Sequence, residues 1–383
     1  MRSTGIDRRA LLRGLAGAGL GLSLGAPAFA APGDGRAPGL VIGCARGADG
    51  RDRAVILDGA GRLTLDHILP GRGHGPALSA DGRLAAVPAR RPGRFIALFD
   101  LGAPRFLGLL ESPPDRHFQG HAVFTADART LVATENDFEA GRGVLGLWDV
   151  AGRRRIAERD CDGAGPHQLL LDPGGGSVTV ANGGILTHPD HGRAKLNLAT
   201  MRPNLRRIRL SDGRVLAGAA LDPTLHKVSL RHMDAAPDGT VIVGGQDEGR
   251  PGGDAPLAAV WPAGGGALSV APLGPADTRR LKRYVGSVAV DRRGRFAALA
   301  SPRGGVVVGL DLARGTAVGA VAAADICGLA RDETRDGGFF ASSGTGRLYA
   351  LDVDATGPRL RNLAAPRAES AMWDNHLAAG PRV

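Results

Sequence analysis

A sequence repeat of about 50 residues is the feature that most constrains how this chain can fold. Each repeat holds two short apolar stretches separated by a turn of small or acidic residues, as in residues 78–88 (LSADGRLAAVP) and residues 124–135 (FTADARTLVATE). A third apolar stretch follows and ends near an aspartate, as in residues 144–150 (VLGLWDV). Repeats of this length with strand periodicity are typical of propeller blades, each made of four antiparallel strands.

The repeat predicts an all-β, seven-bladed β-propeller that occupies residues 31–383 as a single domain, although 353 residues would by length alone suggest two domains. We expect the C-terminal segment 373–376 (WDNH) to lie where the last strand returns to close the ring against the first blade. The seven units cover residues 39–70, 73–113, 120–163, 165–223, 226–273, 277–323 and 325–380.

Residues 1–30 have the pattern of a cleavable export signal. Arg2, Arg8 and Arg9 form a basic start, residues 11–29 are apolar, and residues 28–30 (AFA) are a small-residue cleavage site. The pair Arg8 and Arg9 before this apolar stretch indicates the twin-arginine route, which predicts a periplasmic protein. A transmembrane helix is the alternative, but the glycines in the stretch disfavour it, and no second apolar run is long enough to span a bilayer.

The charge of the chain argues against nucleic-acid binding. The net charge is +10, and the signal carries +3 of it, which leaves +7 on the mature chain. These positive charges are scattered through predicted turns (residues 90–91, 153–155 and 279–280), and few aromatic residues are present to stack on bases. Three cysteines without a CxxC motif allow at most one disulfide, and we expect them to be buried small residues in a monomer.

Histidine recurs at one position of the repeat. His74, His121 and His167 each stand ten residues before the start of the second strand, and Gly286 and Gly328 hold that position in two other units. Equivalent positions at the start of the innermost strands ring the mouth of a propeller's channel, so three imidazoles would converge there. They could bind Zn, Cu or Fe with an open coordination position. Two alternatives remain: each histidine bonds within its own blade, or the three donate to an anion or small molecule.

Other polar residues extend this candidate site. The insertion after residue 182 places two histidines, an aspartate and an arginine within six residues, and polar residues end several second strands. His232 is a further candidate ligand, and His188 and His191 are weaker ones. The residues expected to orient the ligands or to neutralise an anion are Asn182, His188, Asp190, His191, Arg193, Arg231, Gln246, Asp374, Asn375 and His376.

The chain resembles the DUF1513 family, exported β-propeller proteins of unknown function with a twin-arginine signal. The resemblance rests on residues 181–205 (ANGGILTHPDHGRAKLNLATMRPNL), together with VSLRH at 228–232, SPRGG at 301–305, DICG at 325–328 and WDNH at 373–376. Genes of this family often lie beside those for imelysin-like iron-regulated lipoproteins and a di-haem peroxidase-like protein. The resemblance therefore implies partners in periplasmic metal uptake, and it brings no established catalytic residues.

These patterns together favour a non-enzymatic protein that binds iron, copper or a metal-loaded ligand at the histidine-rich axial face. One alternative is a protein interaction platform with no metal. The other is a lactonase-like hydrolase that needs a divalent cation, for which Glu135, Asp137 and Asp190 are candidate carboxylates. The sequence has no GxSxG, CxxCH or Walker motif, so serine hydrolase, covalent haem and nucleotide chemistry have no support.

Overall fold

The computed structural model describes residues 39–250, 255–363 and 372–380. These residues form seven four-stranded sheets, each with antiparallel neighbours, and the innermost strands contact one another in succession around a central axis. The predicted seven-bladed β-propeller is therefore confirmed. The predicted signal peptide at residues 1–30 lies outside the described residues. Within the described ranges, no helix is long and apolar enough to cross a membrane.

The strands are numbered in chain order, and the sheets are given from the innermost strand outwards. Blade 1 contains β28 (Met372–Gly380), β1 (Leu40–Arg46), β2 (Asp52–Asp58) and β3 (Leu63–Ile68). Blade 2 contains β4 (Ala77–Leu78), β5 (Leu84–Pro88), β6 (Phe95–Asp100) and β7 (Arg105–Glu111), and blade 3 contains β8 (Arg116–Phe124), β9 (Thr130–Asp137), β10 (Arg142–Asp149) and β11 (Arg154–Asp160). Blade 4 contains β12 (Pro166–Leu171), β13 (Ser177–Asn182), β14 (Asn204–Arg209) and β15 (Val215–Ala219), and blade 5 contains β16 (Val228–Ala235), β17 (Val241–Asp247), β18 (Ala258–Trp261) and β19 (Ser269–Val270). Blade 6 contains β20 (Ser287–Val290), β21 (Phe296–Ser301), β22 (Val306–Asp311) and β23 (Thr316–Ala322), and blade 7 contains β24 (Ile326–Arg331), β25 (Gly338–Ser343), β26 (Leu348–Asp354) and β27 (Gly357–Leu363). The helical elements among these residues are α1 (Pro275–Arg280) and two 3₁₀ helices, Pro189–His191 and Pro223–Leu225.

The ring is closed by its last strand. β28 pairs antiparallel with β1, from Leu40 opposite Gly380 to Arg46 opposite Met372. The expected return of the C-terminal segment is thus confirmed. The seventh sequence unit, 325–380, therefore contains the whole of blade 7 and also the innermost strand of blade 1.

Apolar residues hold neighbouring blades together. The buried apolar side chains fall into seven clusters, and each cluster lies between two adjacent blades. Middle strands such as β21 are buried along their whole length, whereas an outer strand such as β3 is largely exposed. This difference explains why the second strand of each repeat is a continuous apolar run and why the outer strands carry charge. Cys44, Cys161 and Cys327 are buried, as expected, and none of them forms a disulfide.

The topology also fixes which end of the propeller carries the polar insertion. In an antiparallel sheet, the start of the first strand and the loop between the second and third strands lie at the same end. The repeat histidines stand at or near the start of innermost strands, and the insertion 183–203 connects β13 to β14. Both therefore lie at one end of the molecule, which we call the insertion face.

The closing strand generates a stability prediction. Trp373 is buried in the apolar cluster between blades 7 and 1, whereas its neighbour Met372 is exposed. We expect Trp373→Ala to lower the free energy of unfolding by about 3–5 kcal/mol, because it leaves a large cavity beside the closing strand. Met372→Ala, the matched control, should change it by less than about 0.5 kcal/mol. Urea unfolding would measure the free energy of unfolding of both variants. The backbone circular dichroism signal should be followed, because it does not depend on the tryptophan that is removed. Equal midpoints for the two variants would contradict this role of Trp373.

Candidate metal centre

Irregular strand pairing turns the repeat histidines towards the axis. The pairing between the innermost and second strands shifts register at His121 in β8, His167 in β12, His232 in β16 and His376 in β28. His74 stands just before β4, after the isolated bridge between Gly73 and Ala89. A β-bulge re-aims a side chain that regular pleating would direct elsewhere, so these bulges are the local cause of the site.

Four imidazoles converge on one point. One ring nitrogen from each of His74, His121, His167 and His376 lies within 4.8 Å of the other three. The ring centroid of His376 is 4.6 Å from those of both His74 and His121. His232 borders this group, with its ring centroid 4.7 Å from that of His167 and 4.7 Å from that of His376. We call His74, His121, His167 and His376 the four-histidine cluster.

Several of these ring nitrogens are buried without a hydrogen-bond partner in the described part of the chain. They are the Nε2 atoms of His121, His167 and His376 and the Nδ1 atom of His232. An unpaired buried polar atom costs about 1–3 kcal/mol, and folded proteins keep few of them. Unpartnered nitrogens on neighbouring rings, three of which belong to the four converging histidines, indicate a place where a ligand supplies the missing partner.

Asp374 holds the remaining ring in place. Its Oδ1 atom is 2.8 Å from His74 Nδ1, and Arg72 donates from Nε to Oδ2. Burial raises the pKa of Asp374, but the opposing effects of His74, Arg72 and Arg90 prevail and hold it well below its ordinary value. The ionised carboxylate therefore keeps the proton of His74 on Nδ1 and leaves the lone pair on Nε2. A carboxylate behind a histidine is the usual support of a metal-binding imidazole.

The cluster is uncharged at neutral pH. Burial lowers the pKa values of His121, His167, His232 and His376 well below 6.5, and positive charge on neighbouring histidines or arginines lowers them further. Burial also lowers the pKa of His74, against the effect of Asp374. A neutral imidazole presents the lone pair that a metal ion needs, so the buried rings are in the binding form without proton loss.

Glycines make room for the rings. A Cβ atom on Gly120 would lie 2.6 Å from His74 Cδ2, and one on Gly75 would lie 2.4 Å from His121 Nδ1. In blade 7, a Cβ on Gly328 would lie 2.5 Å from Ser342 Oγ, which leaves no space for a side chain at the repeat position. Five blades therefore place histidine near the axis, and the two glycine blades leave that side of the ring without an imidazole.

Two of the other predicted residues lie near the cluster, Asn375 through Tyr284 and Arg231 through its charge. Asn375 donates from Nδ2 to Tyr284 Oη at 3.1 Å, and Tyr284 Oη lies 3.4 Å from His232 Nε2. Arg231 donates to Ser229 Oγ at 3.2 Å and lies 3.9 Å from a carboxylate oxygen of Glu248. Arg231 is one of the cations that lower the pKa values of His167 and His232. These residues form the polar rim of the site.

Other predicted site residues lie elsewhere. Asn182 donates to Cys161 O and Asn204 Oδ1, so it ties down the base of the insertion. Gln246 lies in β17, where its backbone pairs with Ser229 and bridges to Tyr284. His188 Nδ1 accepts from Asp190 N and its Nε2 faces Glu139. Asp190, His191 and Arg193 are exposed on the insertion. For Asn182 a role beside the ligand remains a prediction: its amide nitrogen is used in these two bonds, whereas its buried Oδ1 atom has no hydrogen-bond partner among the described residues.

The sequence analysis placed His376 among the supporting residues, whereas the structure puts it within the four-histidine cluster. The signal was present: if the last strand closes blade 1, its histidine occupies the same place as the other repeat histidines. The ten-residue spacing between a histidine and the second strand could not identify His376. Its strand, β28, comes after the other three strands of blade 1 in the sequence, so no second strand follows it.

The carboxylates of the hydrolase hypothesis do not meet in one pocket. Glu135 is buried in blade 3, where its side chain accepts from Trp148 Nε1 and Arg155 Nη2. Asp137 pairs with two arginines, Arg116 and Arg142. Asp190 is exposed on the insertion. Because all three lie apart from the four-histidine cluster, they do not supply the shared carboxylate site that such a hydrolase requires.

The fold and this site define a seven-bladed β-propeller whose axis is lined by histidines at one end. The chain belongs to the DUF1513 family, described as a protein of unknown function, whose model matches residues 67–380. No curated protein matches the chain.

Among solved structures, the chain is similar to a functionally unknown protein from Desulfotomaculum acetoxidans DSM 771, with a TM-score of 0.61, 11% identity, and coverage of 90% of this chain and 100% of that one. It is also similar to hydrazine synthase from Kuenenia stuttgartiensis, with a TM-score of 0.57, 14% identity, and coverage of 82% and 90%. A chain of a mitotic checkpoint complex gives a TM-score of 0.53, 11% identity, and coverage of 75% and 78%. At these identities the likeness concerns the fold alone.

The buried histidines predict that stability depends on pH. Because burial lowers their pKa values in the folded state, only the unfolded chain takes up protons as pH falls below about 6.5. Each histidine that stays neutral should then reduce the free energy of unfolding by up to about 1.4 kcal/mol per pH unit. We expect metal-free protein to lose stability in urea unfolding between pH 7.5 and pH 5.5, and the slope should be smaller in His121→Gln/His376→Gln. A pH-independent midpoint over this window would contradict the prediction.

Proposed function

We propose that this protein binds one transition-metal ion, iron or copper, at the four-histidine cluster and serves in metal handling outside the cytoplasm. The observation that carries the proposal is the convergence of one ring nitrogen from each of four histidines, three of which also have a buried ring nitrogen without a partner among the described residues. A non-enzymatic role fits best with the residues present, because the acidic groups that a hydrolase would use are engaged elsewhere.

The donor set supports a borderline metal rather than calcium or magnesium. Calcium and magnesium prefer oxygen ligands, whereas imidazole suits iron, copper, zinc and nickel. Nitrogen atoms that lie within 4.8 Å of one another can reach a common ion by small side-chain rotations, since metal–imidazole bonds are about 2.0–2.1 Å long. Asp374 would raise the basicity of His74 and fix its orientation.

The proposed physiological setting comes from the family and from the signal sequence. Members of the family are often encoded beside imelysin-like and di-haem peroxidase-like proteins, which would make these the partners in a periplasmic uptake system. The twin-arginine route carries folded proteins, so the centre could be loaded before export. The metal is then cargo or a resident cofactor of a monomeric carrier.

Metal content is the direct test. Protein purified from the periplasm without a histidine tag should contain about one iron or copper ion per chain by elemental analysis, because four neutral imidazoles form a complete ligand set. His121→Gln/His376→Gln should contain background levels only. His191→Gln is the matched control, because it removes an exposed histidine from the same face and should retain the metal.

The outcomes separate the competing functions. Metal in the wild type and in His191→Gln, but not in the double variant, would establish the site and identify the ion. If folded wild-type protein contains no metal and takes up none when iron or copper is added, the proposal fails and an interaction platform becomes the better account.

Asp374 should act as a positioning residue for His74. We expect Asp374→Asn to weaken metal binding by about 10–100-fold, because the amide cannot anchor a protonated Nδ1 as the carboxylate does. Competition with a chelator would measure the affinity, and the electron paramagnetic resonance spectrum of the copper-loaded protein should change as the His74 ring reorients. Asp374→Glu, which keeps the charge, should restore part of the affinity. An unchanged spectrum and affinity in Asp374→Asn would show that His74 needs no such support.

A further inference from the structure

A cavity opens on the insertion face, apart from the four-histidine cluster. It has a volume of about 230 Å³ and lies between the loop that joins β5 to β6 in blade 2 and the polar insertion of blade 4. The side chains that matter for its chemistry are Arg90, Arg91, His117, Thr187 and Arg193. We call this space the arginine cavity.

Three guanidinium groups line the arginine cavity without a bonded carboxylate partner. Other arginines of this face have carboxylate partners, such as Arg72 with Asp374 and Arg231 with Glu248. Among the described residues, the side chains of Arg90, Arg91 and Arg193 have no hydrogen bond or ion pair to a carboxylate. The charge of Asp374 acts on Arg90 from a distance. Burial lowers the pKa of Arg91 to about 10, and the positive charges of Arg231, Arg90 and Arg193 add to this effect. Positive charge therefore prevails along the cavity.

Arg90 and Arg91 are also held in partial burial rather than extended into solvent. Both are only partly exposed, and burial lowers the pKa of Arg90 as well. The backbone of their loop is tied down, because Arg90 N donates to Arg72 O at 2.8 Å and Gly93 N donates to Arg90 O at 2.9 Å. Ordinary surface arginines avoid such a position by reaching into water, where charge repulsion is weak.

An unpartnered hydroxyl group lies in the wall of the same cavity. Thr187 is buried with 8% exposure, and its Oγ1 atom is itself buried and has no hydrogen-bond partner among the described residues. The surrounding polar groups are already satisfied: Asn136 Nδ2 donates to Thr187 O at 3.1 Å and to His117 Nε2 at 3.2 Å, and His117 Nδ1 donates to Phe118 O at 3.1 Å. These hydrogen bonds hold the wall of the cavity in place. The hydroxyl of Thr187 and the three guanidinium groups remain without a hydrogen-bond partner among the described residues.

We propose that the arginine cavity binds a small multivalent oxyanion, such as phosphate or a di- or tricarboxylate. Guanidinium groups recognise planar carboxylates and phosphates through paired N–H donors, and a threonine hydroxyl adds one more donor. The volume is below the range of about 300–1,000 Å³ that is usual for drug-sized ligands, so the occupant is compact. The inference does not depend on the four-histidine cluster, because no histidine of that cluster lines the cavity.

Isothermal titration calorimetry on metal-free protein at low salt would test the proposal. Inorganic phosphate and citrate, titrated separately, would distinguish the two sources of the anion. We expect binding of about one anion per chain, and roughly tenfold weaker binding in each of Arg90→Gln and Arg91→Gln, a typical loss for one charge-assisted contact. Arg91→Lys should be intermediate, because it keeps the charge but loses the paired donors. Thr187→Val should weaken binding by a few-fold.

Two controls keep the test specific. Arg214→Gln removes an exposed arginine from the β14–β15 turn, at the other end of the propeller, and should bind the anion as the wild type does. His121→Gln/His376→Gln should also bind the anion normally, which separates this proposal from the metal centre. Absence of binding of both anions at millimolar concentration, or equal weakening in Arg214→Gln, would overturn the proposal. Circular dichroism would show that each variant is folded.

Discussion

The candidate site depends on the closure of the ring by a strand from the far end of the chain. β28 pairs with β1 and so becomes the innermost strand of a blade whose other strands come from the N-terminal part of the propeller. That one pairing supplies both His376, which lies among the other rings, and Asp374, which anchors His74. Without closure, the equivalent positions of the repeat would not face a common axis, and the site would lack one of its four converging imidazoles and its carboxylate.

The five axial histidines, four of them buried and His167 partly buried, are a cost that the rest of the fold must offset. Four of their nitrogens have no partner among the described residues, at about 1–3 kcal/mol each. The seven apolar clusters between the blades offset this cost, because each fully buried large apolar side chain stabilises the folded state by about 1.5–3 kcal/mol. Such an arrangement is typical of a binding site, where local instability in the free protein is relieved by the ligand.

The fold could be predicted because each repeat shows the pattern of apolar strands and turns of its own blade. The site depends on contacts that only the complete ring creates. His74, His121 and His167 were found because each stands at a fixed distance from a strand of its own blade. His376 was undervalued because its blade is completed across the whole chain. The arginines at residues 90 and 91 were interpreted as scattered turn charges, since nothing in the sequence shows that the insertion of blade 4 reaches the loop of blade 2. Asn182 ends a second strand as expected, but the direction of its side chain depends on the path of the insertion.

The charges around the axis constrain what form of metal the protein would bind. Arg90 lowers the pKa values of His74 and His376, and Arg231 lowers those of His167 and His232, so both guanidiniums act on the cluster. The nearby carboxylate of Asp374 is already paired with Arg72. Its charge still acts on the cluster in the opposite direction and raises the pKa values of His74, His121 and His376. The field of the arginines is therefore partly cancelled on the Asp374 side, whereas only positive charge acts on His167 and His232. An anion in the arginine cavity, or an anionic ligand that arrives with the metal, would offset the remaining positive charge. The rim thus allows a metal ion to bind alone and favours a metal that an anion accompanies.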